Sequence, residues 1–522
     1  MANQDKDLKE KLWAAAEQLR ANSSLKLNQI TEPILGLIFL KFADVRFQSM
    51  TSTLTKERTD NPKLPPISSD TYKERGVLFL PEKSTYSYLV ALPENSTLGQ
   101  SINEAMKLIE DSNHSLSGVL PKDYTSLSSN AAENSRILIT LLKSFNQIEA
   151  DDSDQFGKIY EFFLGEFARA EGQKGGEFFT PQSIVKLLVE VVEPYHGYIL
   201  DPACGSGGMF VQSAAFVNAH KKSDIAAQES VAIYGQEKVE SNVRIATMNL
   251  AIHGLSGNIA LSNSFYEDVH QSVGKFDFVL ANPPFNVKGK DKSGQIVIDP
   301  ARLKGDLRYY EGLPLTGKGE ISNANYLWMQ IFASALNKNG RAGFVMSNAS
   351  SDAGNAEKII RQKLVDSGLV DCLISVGPNM FMNAALSCTL WFFDKRKKGT
   401  DREKKVLFIN AQDIFTPIDR AHNDWTPEQI QEIAIIVRRY RGEDGYPKYE
   451  DIKGRCKVAS IDEIKANDYS LNPGRYIDIV ESDLDDVDFD VRIKELQDEF
   501  IKLTEESHTL EEKIINDWKK IT

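Results

Sequence analysis

Cysteine is scarce: Cys204, Cys372, Cys388 and Cys456 are the four in 522 residues. They stand far apart with no Cys-x-x-Cys pair, which excludes a zinc ribbon and a disulfide framework. Four unpaired thiols suit a reducing compartment. Long apolar runs are missing too. The N-terminus, MANQDKDLKE, has no apolar signal core, and the longest early run, Ile34 to Leu40, is far short of a membrane span. These absences lead us to expect a soluble, cytoplasmic protein with no membrane partner. No metal-ligand spacing is visible. Positive charge is also short: 61 Lys/Arg oppose 74 Asp/Glu, a net −13, with a pI near 5.3. A chain that grips DNA alone by neutralising phosphates is usually basic, so a self-sufficient DNA binder is disfavoured.

What is present is ordinary globular material. Hydrophobic residues make up 41% and charged residues 26%, enough to build large cores. At roughly 150 residues per domain, the length suggests three to four domains. Residues 1–150 read mainly as helix, with Leu8, Leu12, Ala15 and Leu19 at helical spacing. Thr31 is a candidate N-cap with Pro33 in the first turn of an apolar helix. A Ser/Thr/Pro-rich stretch, Thr51 to Asp70, reads as a loop. From residue 151 to 475, apolar β-branched runs alternate with helical stretches. This predicts an α/β domain with a largely parallel, doubly wound sheet and functional loops at the strands' carboxyl ends. Residues 476–522 form a third segment. There Leu496, Phe500, Leu503, Ser507, Leu510 and Ile514 recur every 3.5 residues, a narrow apolar seam on a helix. It either packs back on its own chain or docks a partner.

Three motifs carry chemistry. Tyr198-Ile-Leu runs into Asp201-Pro-Ala-Cys-Gly-Ser-Gly-Gly, a strand ending in an acid and a glycine turn. Gly205, Gly207 and Gly208 permit close approach of a nucleotide-like ligand. The acid suits a cation better than a pyrophosphate, because Coulomb attraction favours ammonium and sulfonium groups. Glu237 closes the next strand, where a carboxylate can accept both hydroxyls of a ribose. Taken alone it reads as a surface carboxylate. The third motif is Phe276 to Ala281, a strand that enters Asn282-Pro-Pro-Phe285. Pro283 and Pro284 fix the backbone and remove two donors. The Asn282 side-chain oxygen and a neighbouring carbonyl can then accept both hydrogens of an exocyclic amine. Phe285 offers a face for a flipped base.

Together DPACGSGG and NPPF resemble motifs I and IV of the amino-methyltransferases that use S-adenosylmethionine. Gly176-Glu-Phe-Phe-Thr-Pro181 resembles their motif X. The order X, I, IV is similar to that of the γ-type DNA N6-adenine methyltransferases. More narrowly, nearly the whole chain resembles the modification (M) subunit of type I restriction–modification systems. The resemblance implies a Rossmann-like, S-adenosylmethionine-dependent methyltransferase core behind a helical N-terminal domain, with a C-terminal helix for partner docking. It implies site-specific methylation of N6 of adenine in double-stranded DNA, with the adenine flipped out. By position, Glu177, Phe178, Phe179, Thr180, Pro181 and Gln182 would line the methionine end of the cofactor. Asp201, Gly205, Ser206, Gly207 and Gly208 would form the loop beneath it, and Glu237 would hold the ribose. Asn263 would bond the cofactor's adenine, with Asp268 the alternative. Asn282, Pro283, Pro284 and Phe285 would position the target adenine for in-line transfer without a general base. Extruding that base costs a few kcal/mol. Release-factor methyltransferases also use an Asn-Pro-Pro-aromatic loop, but lack the long helical N-terminus and the C-terminal seam.

Two look-alikes are set aside. Gly312-Leu-Pro-Leu-Thr-Gly-Lys-Gly319 nearly matches a phosphate-binding loop, but Gly319 stands where a Ser/Thr must hold magnesium. Cys204 has no histidine beside it and reads as a small packing residue. No block large enough to read a DNA site follows NPPF. Asn286 to Glu320, with seven Lys/Arg and five Asp/Glu plus Tyr309 and Tyr310, is the best local candidate for DNA contact. The resemblance implies that a specificity (S) subunit reads the site, with two M subunits on one S. It also implies that a restriction (R) subunit can join. The seam is the candidate S-docking element. Residues 481–522 hold fourteen Asp/Glu and six Lys/Arg, so most of the net acidity lies there.

Overall fold

The computed structural model describes residues 9, 12–14, 16, 17, 27–93, 97–127, 130–147, 153–171, 180–220, 231–381, 387–419, 421–478 and 489–521. They fall into two compact units, Met1–Ile477 and Asp478–Thr522.

The first unit begins with helices. A 34-residue helix, α1 (Leu27–Asp60), packs with α2 (Leu98–Ser112), α3 (Ala131–Asn146) and α4 (Ser153–Glu171) around one apolar cluster. Two expectations fail here. Pro33 lies inside α1 rather than in its first turn, so Thr31 does not cap it. The proline removes one backbone donor, yet its carbonyl accepts from the buried Tyr124 hydroxyl at 2.9 Å and the turn is held by core packing. Likewise, the Ser/Thr stretch is helical up to Asp60. Thr51, Ser52, Thr53, Thr55 and Thr59 each turn their hydroxyl back to the carbonyl four residues earlier, which satisfies them without leaving the helix.

Beyond α4 the chain builds a nine-stranded sheet: β1 (Gly197–Asp201), β2 (Val231–Glu237), β3 (Gly257–Leu261), β4 (Phe276–Ala281), β5 (Leu336–Ser347), β6 (Val370–Val376), β7 (Cys388–Asp394), β8 (Lys405–Ala411) and β11 (Cys456–Ser460). A separate two-stranded ribbon pairs β9 (Thr416–Pro417) with β10 (Asn423–Asp424). Across the sheet the order is β11-β8-β6-β7-β5-β4-β1-β2-β3. Pairing is parallel from β5 through β3 and between β6 and β8; β7 and β11 run antiparallel to their neighbours. This is the expected α/β architecture, mostly parallel and behind a helical N-terminal region.

Helices cover both faces. α5 (Gln182–Val192), α6 (Gly208–Ala219) and, later in the chain, Pro427–Arg441 share one core cluster with the sheet. Asn325–Ala335 and Asn355–Asp366 share the other. α7 (Glu240–Ile252) joins the two regions: its Ile245, Met248 and Ile252 sit in the helical N-terminal core. Its Arg244 makes a two-pronged ion pair with Glu32 of α1, at 2.9 and 3.0 Å. On the sheet edge away from the strands' carboxyl ends lies a buried ionic network. Arg402 and Arg441 pair with Asp371, and Arg341 and Arg438 pair with Glu193. Each charge there has a partner, which removes most of the desolvation penalty of burial.

The second unit is a single helix, Phe489–Ile521. Leu496, Phe500, Leu503, Leu510 and Ile514 of the seam are all exposed, Phe500 by 72%.

One packing prediction follows from α1. An alanine at Gly36 would place its Cβ 2.4 Å from both Pro121 Cγ and the Tyr124 hydroxyl. A mid-helix Gly→Ala ordinarily gains about 1 kcal/mol, but overpacking costs about 1–3 kcal/mol. Gly36→Ala should therefore lower the melting temperature of the purified chain. A raised melting temperature would show that Pro121 and Tyr124 yield freely.

Candidate active site

The sheet reverses its direction of winding at β1, which has β2 on one flank and β4 on the other. In open α/β sheets a crevice opens at such a point, outside the carboxyl ends of the strands. Here the loops after β1, β2, β3 and β4 all face it.

Asp201 ends β1 and is 2% exposed. Its carboxylate accepts from the Ala203 N–H at 2.9 Å. Burial pushes its pKa up to about 8; the Ala203 bond opposes this and the charge of Glu237 adds to it. The loop that follows is held from three sides. Cys204 N–H donates to the Gln236 carbonyl at 3.1 Å, and Gly205 N–H donates to Glu237 Oε2 at 3.1 Å. Asn249 Nδ2, on α7, donates to the Ser206 carbonyl at 2.8 Å. Gly207 adopts a left-handed φ of +79° as it opens α6, a conformation that favours glycine. A Cβ built on Gly205 or Gly208 would meet none of the described residues within 4 Å, so these leave the space over the loop open. Cys204 is buried and burial raises its thiol pKa, so it packs rather than reacts.

Glu237, at the end of β2, accepts from Lys238 N–H at 2.9 Å and Val239 N–H at 3.0 Å with Oε1. Together with Gly205 N–H, these backbone donors fix the carboxylate at the mouth of the crevice. Asn263 lies two residues beyond β3, whose Leu261 pairs with Glu237. The Asn263 Oδ1 accepts from Phe265 N–H at 3.1 Å. The alternative, Asp268, spends both oxygens on Ser272 N–H, at 2.9 and 2.8 Å, closing its own turn.

Asn282 follows β4 directly. Its Nδ2 donates to Thr180 Oγ1 at 2.8 Å, bringing together residues 102 apart in sequence. Pro181 N-caps α5 and is buried. Gln182 turns its amide to Glu161 of α4 at 2.5 Å. Pro283 is buried, Pro284 is half-buried, and half-buried Phe285 packs against the sheet core. Glu177, Phe178 and Phe179 lie outside the described residues, as do residues 221–230.

Several residues here escaped the sequence reading. Asn286 has a left-handed φ of +59°. Its N–H donates to Asn325 Oδ1 at 2.9 Å, while its Oδ1 accepts from Asn323 Nδ2 at 3.1 Å and Asn325 Nδ2 at 3.0 Å. These side chains fix the exit of the Asn-Pro-Pro-Phe loop. Asn249 fixes the glycine loop in the same way. No periodicity marks such residues; the only sequence signal is asparagine crowded into Asn282 to Asn286 and Asn323 to Asn325. The 286–320 segment also needs correction. Tyr309 is buried with its hydroxyl on the Phe265 carbonyl at 2.6 Å, so it offers no aromatic face. Arg308 is 2% exposed, pairs with Asp306 at 2.6 Å and bonds the Ser264 carbonyl at 2.7 Å. It braces the loop after β3. Lys288, Lys290, Lys292, Arg302, Lys304, Lys318 and Tyr310 are exposed. Gly312 to Gly319 leads into no helix that could cradle phosphates; Leu315 bridges Ile321 instead.

Comparison with known proteins gives the same picture. Residues 151–485 match the family model for N-6 DNA methylases, and residues 8–145 match the HsdM N-terminal domain. The chain is 35% identical over 526 residues to the type I restriction enzyme MjaIX methylase subunit of Methanocaldococcus jannaschii, covering 97% of this chain and 90% of that one. It is 35% identical over 416 residues to the HindI methylase subunit of Haemophilus influenzae, covering 77% and 87%. In fold it is similar to the crystal structure of a type I restriction–modification methyltransferase subunit from Streptococcus thermophilus. That match has a TM-score of 0.73 and 24% identity, covering 91% of this chain and 100% of that one.

The raised pKa of Asp201 has a measurable consequence. The group is protonated in the folded chain up to about pH 8, against 3.8 for a free side chain. Its stabilising effect is full below the free value, falls as pH rises toward the folded value, and is lost above it. Asp201→Asn removes this dependence. The melting temperature of the variant should therefore gain on that of the natural chain between pH 5 and pH 8.5. Parallel pH profiles would contradict the assignment.

Proposed function

The chain belongs to the N-6 DNA methylase family, as the methylase subunit of a type I restriction–modification system, and from that premise we propose which residues carry its chemistry. The reaction is methyl transfer to N6 of adenine in DNA. The family is of the S-adenosylmethionine-dependent class, and the residues after β1 and β2 fit that cofactor. Among the described residues the space over Gly205 and Gly208 is open to it, and Asp201, held protonated by burial in the free chain, ionises beside a ligand that carries positive charge. When bound, S-adenosylmethionine supplies the methyl group as an electrophile. Asp201, Gly205, Ser206, Gly207 and Gly208 form the floor beneath it. Glu177 to Gln182 line its methionine end, with Thr180 foremost. Glu237, at the end of β2, accepts from the ribose hydroxyls. Asn263, two residues beyond β3, meets the adenine, with Asp268 the alternative.

The target adenine is flipped out of double-stranded DNA and stacked on Phe285. Its N6 hydrogens are held by Asn282 Oδ1 and the Pro283 carbonyl. Those two acceptors stabilise the positive charge that develops on N6 as it gains a methyl, and the N6 proton then passes to water. Thr180 acts on Asn282: by accepting from Nδ2 it turns Oδ1 toward the base. That contact, which joins the loop after β4 to the segment entering α5, is the observation that carries the reading. Positioning of this kind supplies much of a rate enhancement when no general base is present.

Sequence reading is assigned to a separate specificity subunit, with two M subunits on one S, and a restriction subunit joins that core. The exposed seam and acidity of Phe489–Ile521 support this helix as the S-docking element. Among the described residues no helix is long and apolar enough to cross a membrane.

Asn282→Ala should lower methyl transfer to DNA by about 100-fold or more, as loss of one charge-stabilising hydrogen bond does elsewhere. Its affinity for S-adenosylmethionine, measured by calorimetry, should stay within a factor of about two. Retained N6-methyladenine formation would remove Asn282 from its role. Truncation after Ile477 should abolish co-purification with the S subunit while leaving cofactor affinity intact. Unchanged co-purification would place docking elsewhere.

A further inference from the structure

Beside the Asn-Pro-Pro-Phe loop, on the face of the sheet away from α5, lies a cavity of about 560 Å³. That is in the range that holds a small planar ligand, roughly 300–1,000 Å³. Its rim starts at Asn286, the residue directly after Phe285. Thr316 and Gly317, Asn323, and Gly354, Asn355 and Glu357 line it as well. Thr316 and Gly317 belong to the glycine-rich segment that resembles a phosphate loop without being one.

The lining is distinctive in chemistry. It contains four asparagines and no Lys or Arg, so nothing in it neutralises a phosphate. Asparagine amides present a donor and an acceptor side by side, which is the pattern of a base edge. Asn325 and the Asn286 oxygen are already spent bracing the loop exit, which leaves, among the described residues, Asn286 Nδ2 and the Asn355 amide to meet such an edge. Asn286 and Asn355 hold left-handed φ values of +59° and +52°, and Asn323 is tied to Asn286. Ser322 Oγ donates to Glu357 Oε1 at 3.1 Å, and burial raises the Glu357 pKa.

We propose that this cavity receives the base of the nucleotide next to the target adenine on the same strand. The inference rests on the reading of Asn282 to Phe285 as the site of the flipped adenine. Asn286 is four residues from Asn282, within about 14 Å of extended chain. The nucleotide joined to the target is carried to this surface by its own backbone, whereas the base on the opposite strand has no such tether. The contact would add a check on local sequence that is independent of the S subunit.

The test uses the M–S assembly, S-adenosylmethionine, and duplexes carrying its target site. Gly317 has an ordinary φ, and a Cβ there would meet nothing within 4 Å, so Gly317→Trp fills the cavity without straining the backbone. Gly354→Leu fills it from a second lining position on the same grounds. Methylation rates are compared on the intact duplex and on duplexes with one abasic site 5′ of the adenine, 3′ of it, or opposite it. Either variant should lower kcat/KM about tenfold on the intact duplex, within the effect of losing one base contact. S-adenosylmethionine affinity should not change for either variant, and the melting temperature should not change for Gly317→Trp; Gly354 is a helix N-cap, where leucine lowers it slightly. At one same-strand neighbour, the abasic site should slow the natural assembly by a similar factor, and the variants should then add nothing. Equal rates for variants and natural assembly on the intact duplex would overturn the proposal. So would losses that multiply at both neighbours, or non-additivity confined to the abasic site opposite the adenine. No transfer by the natural assembly on the intact duplex would instead overturn the methyltransferase reading, and this inference with it.

Discussion

The arrangement depends on one constraint: β1 is paired in parallel with β2 on one side and β4 on the other. Parallel pairing forces all three carboxyl ends to the same edge, and the change of winding direction opens a crevice there. Asp201, Glu237 and Asn282 are the residues at, or one step beyond, those three ends. They lie on different loops and are far apart in sequence, yet the sheet leaves them nowhere else to be. Everything specific to the chemistry is then a matter of bracing the loops. Asn249 holds the Ser206 carbonyl, Thr180 holds Asn282, and Asn325 holds the exit at Asn286. Each brace comes from a different element, so the crevice is rigid only when the whole unit is folded.

The helical N-terminal region belongs to that bracing. α7 carries Asn249 toward the glycine loop and, on its other faces, Ile245, Met248, Ile252 and Arg244 toward the N-terminal helices. Charge is divided in a parallel way. Acids gather in the C-terminal segment, the exposed lysines between Lys288 and Lys318 stand near the crevice, and the cavity beside the base-holding loop is neutral but for Glu357. An acidic protein can act on DNA if another subunit supplies most of the phosphate contacts.

Much of this was legible in the sequence. Asp201 to Gly208 and Asn282 to Phe285 could be read because each is a run of residues whose backbone freedom or stiffness has one structural use. The strands β1, β2 and β4 through β8 were visible as apolar runs, and the seam of the last helix as a period. What could not be read depends on contacts between distant residues. Arg308 and Tyr309 look like solvent-facing DNA contacts in sequence, but Asp306 and the carbonyls of Ser264 and Phe265 bury them. The Thr51 to Asp60 stretch has loop composition, yet its hydroxyls find acceptors within the helix. Pro33 is tolerated because tertiary packing outweighs a local penalty. Asn249 and Asn325 carry no local signal at all; their roles exist only once α7 and the sheet are assembled.

The central claim is that this crevice delivers a methyl group to one exocyclic amine of DNA. The most direct measurement is nucleoside mass spectrometry of a duplex incubated with the M–S assembly and S-adenosylmethionine bearing a deuterated methyl. The account predicts that all transferred label appears as N6-methyladenine. Label in N4-methylcytosine, or in protein rather than nucleoside, would contradict it.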